Sequence, residues 1–295
     1  ITINSQPEKL SSQHYFVLSV AVFTIFLFAL FSFNIGDEKD LKVGVIPFES
    51  KGFELAADDI VTPTITYESV DDITAERFMT SAELVFTSLN NEFDVVVTGS
   101  TRTYKDKFYL DFIVKGPAEK WQGQIQGQSI EHVIQTLNTH LSQQVIFELV
   151  TVEMSPEGKT AMLTLAHQNA PDDLIILAQL IEKMIDAQEL DKAMVLSEKL
   201  AANAQAVGNQ QQLGIAYTLQ SNILTNKEVY ALSREKLKMA NEALINVNDL
   251  KRQADLWEAK SWLDHQKRDY ESIKQSLLTS SRLGLEAGDK KRELH

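Results

Sequence analysis

The 295-residue chain contains no cysteine, which excludes disulfide scaffolds, thiol catalysis, thiolate zinc sites and cysteine redox switching together. Its six histidines are too scattered to replace them. Basic residues are also scarce: 28 against 41 acidic ones leave a formal charge of −13, which argues against the attraction to phosphate that a nucleic-acid surface needs. GxSxG, HExxH and P-loop spacings are absent, and Gly99-Ser100 followed by Thr101 and Lys105 lacks the second glycine of a phosphate loop. The chain is therefore read as a non-enzyme without cofactor, with no catalytic, cofactor-binding or metal residue assigned and its ligand-binding residues unknown. At 44% hydrophobic and 23% charged it is no disordered acidic tail, and its length suits two modest domains of about 100–200 residues each.

From Tyr15 to Phe33 the chain reads YFVLSVAVFTIFLFALFSF, nineteen residues without a charge. At 1.5 Å per residue this approaches bilayer thickness, so residues 15–35 are expected to form a single transmembrane helix after a juxtamembrane segment, 1–14. A signal-peptide core is shorter, about 7–15 residues, and follows positive charge; here only Lys9 precedes the run. Lys39, Lys42 and Lys51 lie beyond it, so local charge leaves the orientation open. No GxxxG occurs, and Ser32 with Gly36 makes one weak small-residue pair.

Two soluble regions differ in charge. Residues 37–150 hold nine basic and nineteen acidic residues, a net of −10, whereas the remainder carries −3. TVEMSPEGKT (Thr151 to Thr160), with Pro156 and Gly158, reads as a linker, and 151–169 as linker and entry to a set of helical repeats. The first region, 37–150, alternates strand and helix signals. LKVGVIPF (Leu41 to Phe48), FDVVVTGS (Phe93 to Ser100, closed by glycine), KFYLDFIV (Lys107 to Val114) and WQGQIQGQ (Trp121 to Gln128) read as strands, the second and third joined as a hairpin through TRTYKD. Asp72 caps a helix with Phe78, Ala82, Val85, Phe86 and Leu89 on one face. Ser129 caps another bearing Val133, Ile134, Leu137, Leu141, Val145 and Leu149. The result is a small mixed-sheet α/β module.

Residues 170–295 contain a repeat. Ala206-Val-Gly-Asn209, Asn246-Val-Asn-Asp249 and Glu286-Ala-Gly-Asp289 recur every 40 residues, as do Tyr230 and Tyr270, Ser221 and Ser261, Leu237 and Leu277, and the aromatic pair Tyr217 and Trp257. Each unit is read as two helices whose second ends in a left-handed stop. A hairpin cannot bury its own apolar face, so the units must stack, and the last unit needs a cap.

Other candidates are weighed against plainer roles. His132 and His140 lie two turns apart on one helix, about 12 Å, too far for a common metal, and read as a solvated face. The acids Asp58, Asp59, Glu68, Asp71 and Asp72 suit a cationic ligand less well than helix caps and solubility. Tyr217, Tyr230, Trp257, Trp262 and Tyr270 read as core knobs before a recognition stripe.

LKVGVIPFES, then FDVVVTGSTRTYKDKFYLDFIVKGPAEKWQGQIQG and a helix, resembles the α/β module related to the TolB amino-terminal domain, with Pro47-Phe48, Gly99-Ser100 and Trp121 in its places. The later units resemble tetratricopeptide repeats of about forty residues. Span, module and repeats together resemble the sensory half of CadC-type membrane-integrated transcriptional regulators, relatives of ToxR. That resemblance implies a winged-helix DNA-binding domain upstream of Ile1, a cytoplasmic amino end, and a signal-sensing region in the periplasm of a single-pass inner-membrane protein. Without cysteines, the disulfide of some relatives has no counterpart. The partners expected are the membrane, a protein or second copy, and a small-molecule ligand, with no nucleic acid bound by these residues. The rival reading is a membrane-tethered scaffold or chaperone-like adaptor that holds periplasmic partners on its repeats.

Overall fold

Val43 and Val45 alternate with Lys42 and Gly44, and this short apolar run becomes β1 (Lys42–Val45) of a six-stranded sheet. The computed structural model describes residues 41–63, 65–70, 93–266 and 268–287. β1 pairs in parallel with β3 (Thr66–Ser69) and β4 (Val95–Tyr104), while β2 (Glu49–Lys51) pairs in parallel with the far end of β4. β4, β5 (Lys107–Lys115) and β6 (Lys120–Gly127) then form an antiparallel meander. Lys105 and Asp106 both have positive φ, 48° and 57°, which is the two-residue turn whose twist matches that of antiparallel strands. β4 runs four residues past Ser100, the expected end of the strand. Gly99 is interior to the strand because a Cβ there would collide with the Asp111 carbonyl oxygen.

Nine helices follow among the described residues: α1 (Ile130–Leu141), α2 (Gln144–Thr151), α3 (Pro156–Asn169), α4 (Leu174–Asp186), α5 (Leu190–Ala206), α6 (Gln210–Asn226), α7 (Tyr230–Asn246), α8 (Leu250–Gln266) and α9 (Tyr270–Glu286). Ser129 caps α1 as expected, accepting from the His132 N–H, but the helix breaks at Ser142 and Gln143. The break re-phases the pattern, so α2 buries Ile146, Phe147, Leu149 and Val150 while Val145 is only partly covered. Where a linker was expected, Ser155 caps α3 and Pro156 takes its first turn; the Pro/Gly punctuation marks a helix start. Leu163 and Ala166 of α3 join a core running from Val43 through Phe112 and Leu137 to Ala216, so the described residues form one compact unit.

The expected transmembrane helix, and with it the single-pass inner-membrane placement, is corrected. No helix among the described residues is long and apolar enough to cross a membrane. The longest have 17 residues, about 25 Å against about 30 Å of hydrocarbon, and carry charged faces. Residues 1–14 and 15–35 lie outside the described residues, as does the helix expected after Asp72.

The mixed sheet and the helical hairpins are present. Five successive helices, α5 to α9, each have 17 residues and start 20 apart. Positive φ recurs with them at Gln188, Gly208, Glu228, Asn248 and Arg268. Each turn closes as at Asn209, whose N–H donates to the Ala204 carbonyl five residues back. The backbone period is thus half the period of the side chains.

Candidate functional site: a cleft between the sheet and the last helical hairpin

Strand register sorts the meander into two faces. Val97, Leu110, Phe112, Val114, Trp121 and Ile125 point into the core beneath α1 and α2. The opposite face carries Ser100, Asp111 and Gln124 in one row and Arg102, Tyr109 and Gln126 in the next. Turns between hairpins, one every 40 residues, land on this polar face. Gln126 Nε2 donates to the Gly208 carbonyl (3.2 Å), and Arg102 Nη1 donates to the Val247 carbonyl (2.7 Å).

Arg102 is the pivot of the seam. Its guanidinium lies 4.1 Å over the Tyr109 ring, and Nη2 stands 3.9 Å from Asp249 Oδ2, an ion pair but no hydrogen bond. Asp249 is otherwise engaged: Oδ1 caps α8 by accepting from the Arg252 N–H (2.9 Å), and Oδ2 accepts from Gln211 Nε2 (2.5 Å). Arg252 Nη1 donates to Asp255 Oδ2 at 3.0 Å. Burial pushes the Asp111 carboxyl up to about 6, with the Asp249 charge adding to the effect and Arg102, Lys251 and Arg252 opposing it. Burial likewise raises Glu182, against the pull of Arg252.

Buried polar atoms are almost always hydrogen-bonded. Along and beside this seam Arg102 Nη2, Asp111 Oδ1, Gln126 Oε1, Gln211 Oε1, Gln212 Oε1 and Arg252 Nε have no hydrogen-bond partner. The seam opens into a cleft of about 1460 Å³. Its sheet wall runs from Ser100 to Tyr104 with Lys51, Asp111 and Lys120; its helical wall carries Leu250, Lys251, Tyr270, Lys274, Leu277 and Leu278. A smaller groove of about 190 Å³ separates α7 from α8 at Arg234, Leu237, Trp257 and Asp264. The larger space exceeds the usual small-ligand range of about 300–1,000 Å³.

The chain matches no family model, no curated protein and no solved structure. The likeness to CadC-type regulators therefore rests on Pro47-Phe48, Gly99-Ser100, Trp121 and the repeat spacing alone.

The candidates read from the sequence lie mostly elsewhere. His132 is exposed, but His140 is 2% exposed, a correction to the solvated face. Trp121 Nε1 donates to His140 Nε2 (3.0 Å), and His140 Nδ1 meets Asp173 Oδ2 (2.6 Å). An indole N–H only donates, so Nε2 must accept and the proton sits on Nδ1. Burial raises the Asp173 carboxyl, but His140 and the backbone N–H groups of Ile175 and Ile176 more than reverse this, holding it below its ordinary value. Asp59 accepts from the Ala56 N–H, Asp58 and Glu68 are exposed, and Asp71 and Asp72 fall outside the described residues. Among the described residues no group of three or more His, Cys, Asp or Glu is placed to hold a metal ion. Tyr217, Tyr230 and Trp257 pack against the core of the last hairpins, whereas Trp262 (50% exposed) and Tyr270 (74%) stand in solvent and are corrected as core knobs. Of these aromatics only Tyr270 lines the cleft. Arg102 and Asp111 were missed, and the signal for them was the second face of the hairpin: Tyr109 and Ile113 between polar neighbours mark a face with a cover.

Proposed function

We propose that residues 41–287 are a recognition module, not an enzyme, which receives a partner in the cleft between sheet and repeats and thereby reports a signal for transcription control. The observation that carries this reading is the cleft itself, where exposed leucines converge with a guanidinium that is ion-paired to Asp249 and leaves one nitrogen without a hydrogen-bond acceptor. Both are features of binding surfaces: apolar side chains left in water, and a donor awaiting an acceptor. The resemblance to the sensory half of CadC-type regulators supports the regulatory role. Mechanistically, a partner changes the output only by binding one arrangement of the last hairpins against the sheet better than another.

Leu278→Asp, introduced in the producing cell, should abolish the signal-dependent change in its transcript profile while protein level and thermal midpoint stay constant. An unaltered transcript response would remove the regulator reading. The scaffold reading is the alternative, and loss of a co-purifying protein without any transcript change would select it.

A further inference from the structure

We infer that α9 is the contact surface for a second copy of this chain, the two α9 helices pairing antiparallel about a two-fold axis that passes between Leu277 and Leu278. The inference rests on the recognition reading and names the partner.

The first argument is a departure from the repeat. Glu198 of α5, Lys238 of α7 and Leu278 of α9 occupy equivalent positions in the 40-residue frame, and all three are exposed. A position that is charged in two units is apolar in the third, with 61% of it in water. Leu277 beside it is 48% exposed, although its equivalent Leu237 is 4% exposed under Leu256 and Leu263 of α8. Tyr270 and Leu285 are exposed too, and complete an apolar stripe of a kind that marks a contact surface.

The second is symmetry. Tyr270 and Leu277 stand seven residues apart, as do Leu278 and Leu285, so the four form two adjacent rows along the helix. The stripe has the same spacing read from either end about the midpoint between Leu277 and Leu278. Antiparallel two-fold pairing uses that property: Tyr270 meets the partner's Leu285, Leu277 meets the partner's Leu278, and both contacts occur twice. Lys274, between the rows, falls opposite the partner's Ser281, which is small enough to leave room for a lysine stem. The third argument is charge. Glu271 and Arg282 lie on one flank of the stripe, both exposed and neither in an ion pair among the described residues. A two-fold axis brings like flanks together, which sets Glu271 within about 3 Å, along the helix, of the level of the partner's Arg282. Lys274 and the partner's Glu286 stand at the same end, so two acids meet two bases. A balanced arrangement of this kind matches its own copy and favours neither an acidic nor a basic stranger.

The absence of cysteine makes an introduced thiol an unambiguous reporter of contact between copies. Across the axis, two copies of Tyr270→Cys, or two of Leu285→Cys, hold their thiols about 22 Å apart along the helices, whereas one of each brings them level. A short bis-maleimide should therefore cross-link a mixture of the two full-length variants and neither variant alone. Sedimentation of the full chain at rising concentration should show monomer and dimer. Glu271→Arg should raise the dimer Kd about tenfold, and adding Arg282→Glu to the same chain should restore it. Leu278→Asp should leave a monomer; should that variant fail to fold by circular dichroism, the charge exchange at two exposed positions decides in its place. A monomer at every concentration, cross-linking of either cysteine variant alone as efficient as that of the mixture, or a double variant that associates no better than Glu271→Arg overturns the inference. Association through the apolar run from Tyr15 to Phe33 would cross-link without regard to register, and so overturns it as well. Each of these results leaves the recognition reading to the transcript experiment, whereas a register-specific dimer with an unaltered transcript response would keep the inference and remove that reading.

Discussion

Asp111 sits where two modules of opposite character meet, and its position makes stability depend on pH. An acid whose folded value lies near 6 against about 3.9 in the unfolded chain binds its proton more tightly when folded. Between those values the folded state holds more protons, so stability falls as pH rises from about 4 to 6, and the penalty persists above. Asp111→Asn should therefore stabilise the protein at pH 8 by up to about 2–3 kcal/mol, the free energy of that shift, with the gain vanishing below pH 4. Urea titrations across that range measure it, and a pH-independent difference would refute the assignment. At His140, Trp121→Phe leaves Nε2 buried without its donor and should cost about 1–3 kcal/mol. The nitrogen chemical shifts of His140 should report the Nδ1–H tautomer in the unmutated protein. Neither residue was legible as a site in the sequence: His140 occupies an unremarkable place on an amphipathic helix, and its partner Asp173 lies 33 residues away. Trp121 carried a resemblance, with no sign of its bond. A side chain's donor role becomes readable only once three separate elements are placed together.

The elements themselves were more legible, for a reason visible in the repeats. Side chains that pack between hairpins must match every 40 residues, so Tyr230 with Tyr270 and Leu237 with Leu277 betray that period in the bare sequence. The stop between the two helices of each unit was less visible, because the left-handed positions at Gln188, Glu228 and Arg268 lack the glycine that signals it. Two kinds of substitution separate packing from conformation here. Leu237→Ala should destabilise by about 2–5 kcal/mol, whereas Leu277→Ala, half in solvent, should cost about 1 kcal/mol or less. Gly208→Ala meets no atom within 4 Å, so its penalty of about 1–2 kcal/mol should be backbone strain alone. Chemical unfolding measures all three, and a Gly208→Ala loss well above that range would mean a contact was disrupted. The Ser155-Pro156 pair shows the converse difficulty, since the same residues that punctuate loops also begin helices.

On the scale of the whole molecule, two apolar clusters are joined by a polar seam. The larger runs from the sheet to α6 and Ala243, and the smaller joins Leu237, Ala240 and Leu244 to Leu256 and Leu263 of α8. Arg102→Ala should leave α1 to α4 protected and speed amide hydrogen exchange in α7 to α9, because those helices lose a fastening and not their own packing. Uniform loss of protection along the chain would contradict this division. The bond from Arg102 to Val247 also joins residues 145 positions apart, whereas each turn between helices closes over five or fewer. Closing so long a loop is entropically slow, while helix pairs form from neighbours in sequence. Refolding is therefore expected to recover helix content first and the sheet-to-repeat bonds last, which gives the chain a brief interval in which both walls of the cleft exist and the space between them does not.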